Sequence, residues 1–123
     1  MKAGKKTTPH TVKSLTERII RFRDARDWKQ FHNPKDLALS LVLESAEVME
    51  HFQWKNKDEM MKHVSENRES IGEELADVLY WVLLMGNDLE IDVLKALDKK
   101  ITINESKYPV EKSKGKHTKY NKL

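Results

Sequence analysis

The sequence predicts an all-α fold, a bundle of four helices joined by short connections. Three observations predict it. Apolar residues recur at helical spacing in four segments. No stretch keeps the alternation of a strand. Gly and Pro are scarce, at 4 and 3 in 123 residues, so the chain has few places to break a helix. The length suits one domain, and a core this small gains from association with further copies.

Each element has a local reason. Met1–Lys13 reads as a disordered basic arm. SLTE at Ser14–Glu17 is a capping box that would open helix one, with Ser14 as N-cap. That helix carries Leu15, Ile19, Phe22 and Trp28 on one side. Asn33-Pro34 then supplies an N-cap and a first helical residue, and helix two is expected from there to Trp54. Lys55–Asn67 is polar, a connection with room for one helical turn around Met60–Val64. Helix three is expected over Glu66–Met85, because Ile71, Leu75, Val78, Val82, Met85 and Leu89 keep a helical spacing and Gly86-Asn87 reads as a stop. Asp92 caps helix four, which carries Leu94, Leu97, Ile101 and Asn104 and ends at Pro109. Residues 14–109 therefore form the domain, and residues 110–123 a Lys-rich flexible tail.

Charge is segregated. The net charge is +3, yet residues 1–13 and 109–123 each carry +4, which leaves the body at −5. Basic ends on an acidic body argue against a nucleic-acid partner, because no helix is rich in Lys and Arg. No apolar run is long enough to span a bilayer, so no membrane partner is expected. The absence of cysteine removes disulfides and thiolate metal sites and suits a reducing cytoplasm.

The chemistry lies in acids set within apolar helices. Glu44-x-x-Glu47 in helix two and Glu74-x-x-Asp77 in helix three each place two carboxylates on one helical face. No Lys or Arg occurs from Leu37 to Trp54 or from Ile71 to Glu90. Four carboxylates gathered in a bundle repel one another and need positive charge. A divalent cation supplies it, and an all-oxygen donor set favours Mg²⁺, then Mn²⁺. Neither motif has the Glu-x-x-His form of a di-iron site, which disfavours redox iron. Glu50 and Glu73 read as flanking charges, and His51 as a partly exposed structural histidine.

These motifs resemble the MazG-like all-α nucleoside triphosphate pyrophosphohydrolases. RDWKQFHNPKDLALSLVLESAEVMEHFQWK and EELADVLYWVLLM resemble the dCTP pyrophosphatase branch, as do Lys100-x-x-x-Asn104 and Lys107-Tyr108-Pro109. The resemblance runs from about Leu15 to Pro109. It implies Mg²⁺-dependent hydrolysis of a (deoxy)nucleoside triphosphate to monophosphate and pyrophosphate, in nucleotide-pool house-cleaning, by a dimer or tetramer. dCTP or a related deoxynucleotide is the expected substrate.

Roles follow from both readings. Glu44, Glu47, Glu74 and Asp77 are the expected metal ligands, and Glu47, with Glu44 beside it, orients or deprotonates the attacking water. Lys100 is the expected phosphate clamp with Asn104 one turn later, and Lys107 and Tyr108 follow them. An aromatic slot for the base draws on Trp28, Phe31, His32, Trp54 and Trp81. His32 and Trp54 match positions tied to the base pocket in that branch, whereas Trp81 stands where the branch carries Tyr. A different class of function, a non-catalytic helical binding module with a structural metal, predicts no turnover.

Overall fold

The computed structural model describes residues 10–123, and all regular structure within them is helical. Of the expected arm over residues 1–13, residues 1–9 lie outside the described residues, and Val12 and Lys13 belong to a helix instead. Six α-helices follow in order: α1 (Val12–Asp24), α2 (Pro34–Glu50), α3 (Lys57–Glu66), α4 (Arg68–Asp88), α5 (Val93–Lys107) and the four-residue α6 (Val110–Ser113). They divide into two compact units, one ending at Glu90 and one running from Ile91 to Leu123.

Helix starts follow cap chemistry. α1 opens at Thr11, whose side chain accepts from the Ser14 backbone N–H at 3.0 Å, while the Thr11 N–H donates to Ser14 Oγ at 3.1 Å. This corrects the expected start at Ser14. Serine at the third helical position completes the reciprocal pair as glutamate would, so the helix begins earlier. Asn33 caps α2 through Asp36 N at 2.9 Å, with Pro34 at the first helical position as expected.

Two connections differ from expectation. α2 stops at Glu50, and residues 51–54 turn, with Trp54 at φ +66°. The polar stretch after it is a full helix, α3. Asn56 and Glu59 form its capping box, and Met60, His63, Val64 and Asn67 make its half-buried side. Gly86 does not stop α4; it is buried within it, and the helix runs to Asp88. Here tertiary packing overrides the tendency of glycine to end a helix.

In the first unit α4 is central, and α1, α2 and α3 all pack on it. The core sits towards the start of α2 and the end of α4, where Leu37, Leu83 and Leu84 are buried. Arg23 of α1 joins them at 1% exposure, its Nη1 2.6 Å from Asp88 Oδ2. Apolar composition alone implied burial all round α4, but Leu75 and Leu79 stay exposed, as do Leu39, Val42 and Leu43 on α2. A single layer of partners covers one stripe of a helix and leaves the remainder to solvent.

In the second unit Asp92 caps α5 through Lys95 N at 3.0 Å, as expected. The Tyr108 N–H donates to the Asn104 carbonyl at 2.9 Å, and Pro109 follows. The Lys-rich tail is not featureless. α6 occupies its start, a 3₁₀ turn spans Tyr120–Lys122, and the Tyr120 ring meets Tyr108 edge-on at 6.1 Å. Among the described residues no helix is long and apolar enough to cross a membrane.

Candidate metal centre

α2 and α4 pack side by side, and each brings one acid pair to their shared face. Glu44, Glu47, Glu74 and Asp77 each offer one carboxylate oxygen, and these four oxygens lie within 4.8 Å of one another. Glu44 and Glu74 are half-buried, whereas Glu47 and Asp77 are exposed. The i, i+3 spacing explains the arrangement, since it stacks two acids on one side of each helix.

The electrostatics are those of an uncompensated cluster. Burial, and then the charges of Glu47 and Asp77, push the Glu44 carboxyl above the usual carboxylate range. Glu74 is pushed up to about 7, first by its hydrogen bond with Glu47, then by burial and by the three neighbouring acids. In the metal-free site the Glu74 carboxyl thus keeps its proton towards neutral pH, hydrogen-bonded to Glu47. Among the described residues the ion pairs lie elsewhere, on Arg23, Lys35 and Lys62. Glu44 Oε2 and Glu74 Oε2 are buried with no hydrogen-bond partner. Buried acceptors are rarely left in this state. The donor set, four carboxylates with two orphaned oxygens, fits a hard divalent cation.

The other expected site residues divide. His32 is half-buried, its ring edge-on to Trp81 at 5.7 Å and its Nδ1 3.5 Å from Arg23 Nη1. It lines a cavity of about 370 Å³ with Asn33, Leu37, Asn87 and Asp88 among the other walls. Burial raises Asp88, but the Arg23 guanidinium overrides it and holds the carboxyl below its ordinary value. Trp28 is not beside Trp81 in this way; it packs edge-on against Phe22 at 5.6 Å. Trp54 is 92% exposed. Lys100, Asn104, Lys107 and Tyr108 belong to the second unit, where Lys107 Nζ sits 4.5 Å over the Tyr120 ring.

Residues that sequence reasoning passed over also meet the acids. Glu50, His51 and His63 line a cavity of about 210 Å³ together with Glu47 and Glu74. His51 Nδ1 and His63 Nε2 are 2.8 Å apart. His51 is four residues after Glu47, which puts it on the same side of the helix end. His63 was hidden because its helix read as a connection, although the Asn56–Glu59 box was there to mark that helix.

Known proteins with similar sequences and structures bear on the site. The MazG-like family matches residues 39–123. The chain is 35% identical over 115 residues to dCTP pyrophosphatase 1 of Rattus norvegicus and 34% identical to that of Homo sapiens, in each case over 92% of this chain and 68% of the relative. A crystal structure of a pyrophosphatase from Archaeoglobus fulgidus superimposes with a TM-score of 0.77 at 36% identity, covering 84% of this chain and 96% of that one.

Proposed function

Because the chain belongs to the MazG-like family it is a nucleotide pyrophosphohydrolase, and we propose that it splits a deoxynucleoside triphosphate, dCTP or a close relative, between the α and β phosphates with Mg²⁺ at the four carboxylates. One observation carries this reading: four acids from two helices converge with two buried oxygens unpartnered.

Glu44, Glu47, Glu74 and Asp77 would hold the ion, with Mn²⁺ the second fit. When bound, the ion supplies charge neutralisation at the phosphates and a lowered pKa for water. Glu47 is the base. Its carboxylate is exposed, so water reaches it. Glu47 accepts a hydrogen bond from the attacking water, orients its oxygen on the α phosphorus and takes the proton as the new P–O bond forms. The bond to the β phosphate then breaks, leaving monophosphate and pyrophosphate. Glu44 and Asp77 would complete the ligand set, one from each helix. Lys100 and Asn104, a cation and an amide one helical turn apart, are the phosphate grips, with Lys107 and Tyr108 after them. His32 and Trp81 offer a ring wall for the base beside the polar edge of Asn33, Asn87 and Asp88, and Trp28 and Trp54 add further aromatic surface. Exposed Leu39, Val42, Leu43, Leu75 and Leu79 favour a homo-oligomer, dimer or tetramer. A chain free of cysteine suits the cytoplasm.

The test is pyrophosphate release from a panel of dNTPs and NTPs, with Mg²⁺ or a chelator, beside Glu47→Gln. Release confined to Mg²⁺, strongest with dCTP and reduced about 10²- to 10⁴-fold in the variant, is expected. Full activity in Glu47→Gln would remove the base assignment.

A further inference from the structure

The cavity beside the acids holds a polar chain that the mechanism above does not use. Asn67 Nδ2 donates to the His63 carbonyl at 2.9 Å and lies 3.2 Å from His63 Nδ1. His63 Nε2 lies 2.8 Å from His51 Nδ1, with the ring planes tilted by 46°.

The direction of this chain can be read from its first link. An amide oxygen could not donate to a carbonyl, so the atom facing His63 is the Asn67 nitrogen. That nitrogen has only protons to give, and His63 Nδ1 therefore accepts. A neutral imidazole that accepts at Nδ1 carries its proton on Nε2. His63 Nε2–H thus donates to His51 Nδ1, and His51 in turn carries its proton on Nε2. Burial, then the Lys55 charge and the second imidazole, hold His63 below its ordinary value, in keeping with a neutral ring. His51 lines the cavity whose other walls include Glu47, Glu50 and Glu74. It is thus a source of N–H donation in a space shared with three carboxyl groups and His63.

We propose that His51 donates from Nε2 to a phosphate oxygen of the triphosphate held at the four carboxylates, and that His63 and Asn67 are positioning residues that set the direction of this donation. The inference rests on the metal-site reading above. A neutral donor suits the place. It binds an anion without the repulsion that an imidazolium would meet from a cation at Glu47 and Glu74.

The first arm of the test needs neither metal nor substrate. Long-range ¹H–¹⁵N NMR of the metal-free wild-type protein near pH 8 reads each ring's tautomer. Both histidines should show an imine-type Nδ1 and a pyrrole-type Nε2. A protonated Nδ1 on His51 would overturn the proposal. The second arm is kinetic, with pyrophosphate as a product probe. His51→Phe keeps a ring and removes the donor. It should raise KM and weaken pyrophosphate inhibition by about tenfold, the scale of one hydrogen bond to a charged group, with Mg²⁺ affinity unchanged. His51→Gln, which offers an N–H, should recover part of the loss. His63→Phe should fall between wild type and His51→Phe and release the His51 tautomer. Wild-type KM and pyrophosphate inhibition in His51→Phe, alongside Mg²⁺-dependent turnover lost in Glu47→Gln, would sink this proposal and leave the metal-site reading standing. Wild-type protein without Mg²⁺-dependent turnover would bring down both.

Discussion

Helix α4 treats charge in opposite ways at two places along its length. Near Leu37, Leu83 and Leu84 the one buried cation among the described residues, Arg23 of α1, has its partner supplied by the protein, Asp88 at 2.6 Å. At Glu44, Glu47, Glu74 and Asp77 the carboxylates gather with no ion pair to a cationic side chain among the described residues, and two buried oxygens stay unpartnered. A charge closed off inside the fold must be neutralised by the fold itself. A cluster left short of positive charge beside open space is built to receive it from a ligand. The first region maintains the structure, and the second spends electrostatic stability on a site.

Breaking the first region should have the largest effect on folding. Arg23→Met leaves the Asp88 carboxylate without its partner in a partly buried place, and a loss of about 3 kcal/mol is expected from denaturant unfolding. Glu47→Gln, by contrast, should leave stability level or higher while removing turnover, because it relieves repulsion within the acid cluster.

The second comparison sharpens with pH. Glu74 titrates at about 7 in the folded, metal-free chain against 4.5 ordinarily. A carboxyl raised in this way contributes stability below pH 4.5, and the contribution is lost as pH rises through about 7. With chelator present the melting temperature should therefore fall from pH 5 to pH 8, and by less in Glu74→Gln. Mg²⁺ should raise it at pH 8 and have little effect at pH 5, where protons hold the site. A flat difference between wild type and Glu74→Gln would contradict the raised titration.

The smallest effect on stability belongs to Trp54→Ala. The ring is 92% exposed on a residue at φ +66°, so a change within about 0.5 kcal/mol is expected. A rise in KM for dCTP without loss of stability would support its place beside the base. An unchanged KM would remove it from the site.

Much of this contrast was legible in the sequence. The acid pairs could be read because i, i+3 spacing and the lack of Lys and Arg are local facts. Asn33-Pro34 and Asp92 announced their helices for the same reason. Arg23 was not legible: nothing in RIIRFRDARDW separates it from Arg21 or Arg26, and only the packing of α1 on α4 places Asp88 opposite it. Gly86 misled because a glycine that stops an isolated helix can also let neighbours approach a packed one. α3 was missed because a charged decapeptide hides its half-buried side, and with it went the His51–His63 pair.

The most direct test of the central claim is Mg²⁺ binding itself. Calorimetric titration at pH 8 should give saturable binding to the wild-type chain and none to Glu44→Gln/Glu74→Gln, although that variant stays folded. Binding of equal strength in both would mean that these carboxylates are not the metal site.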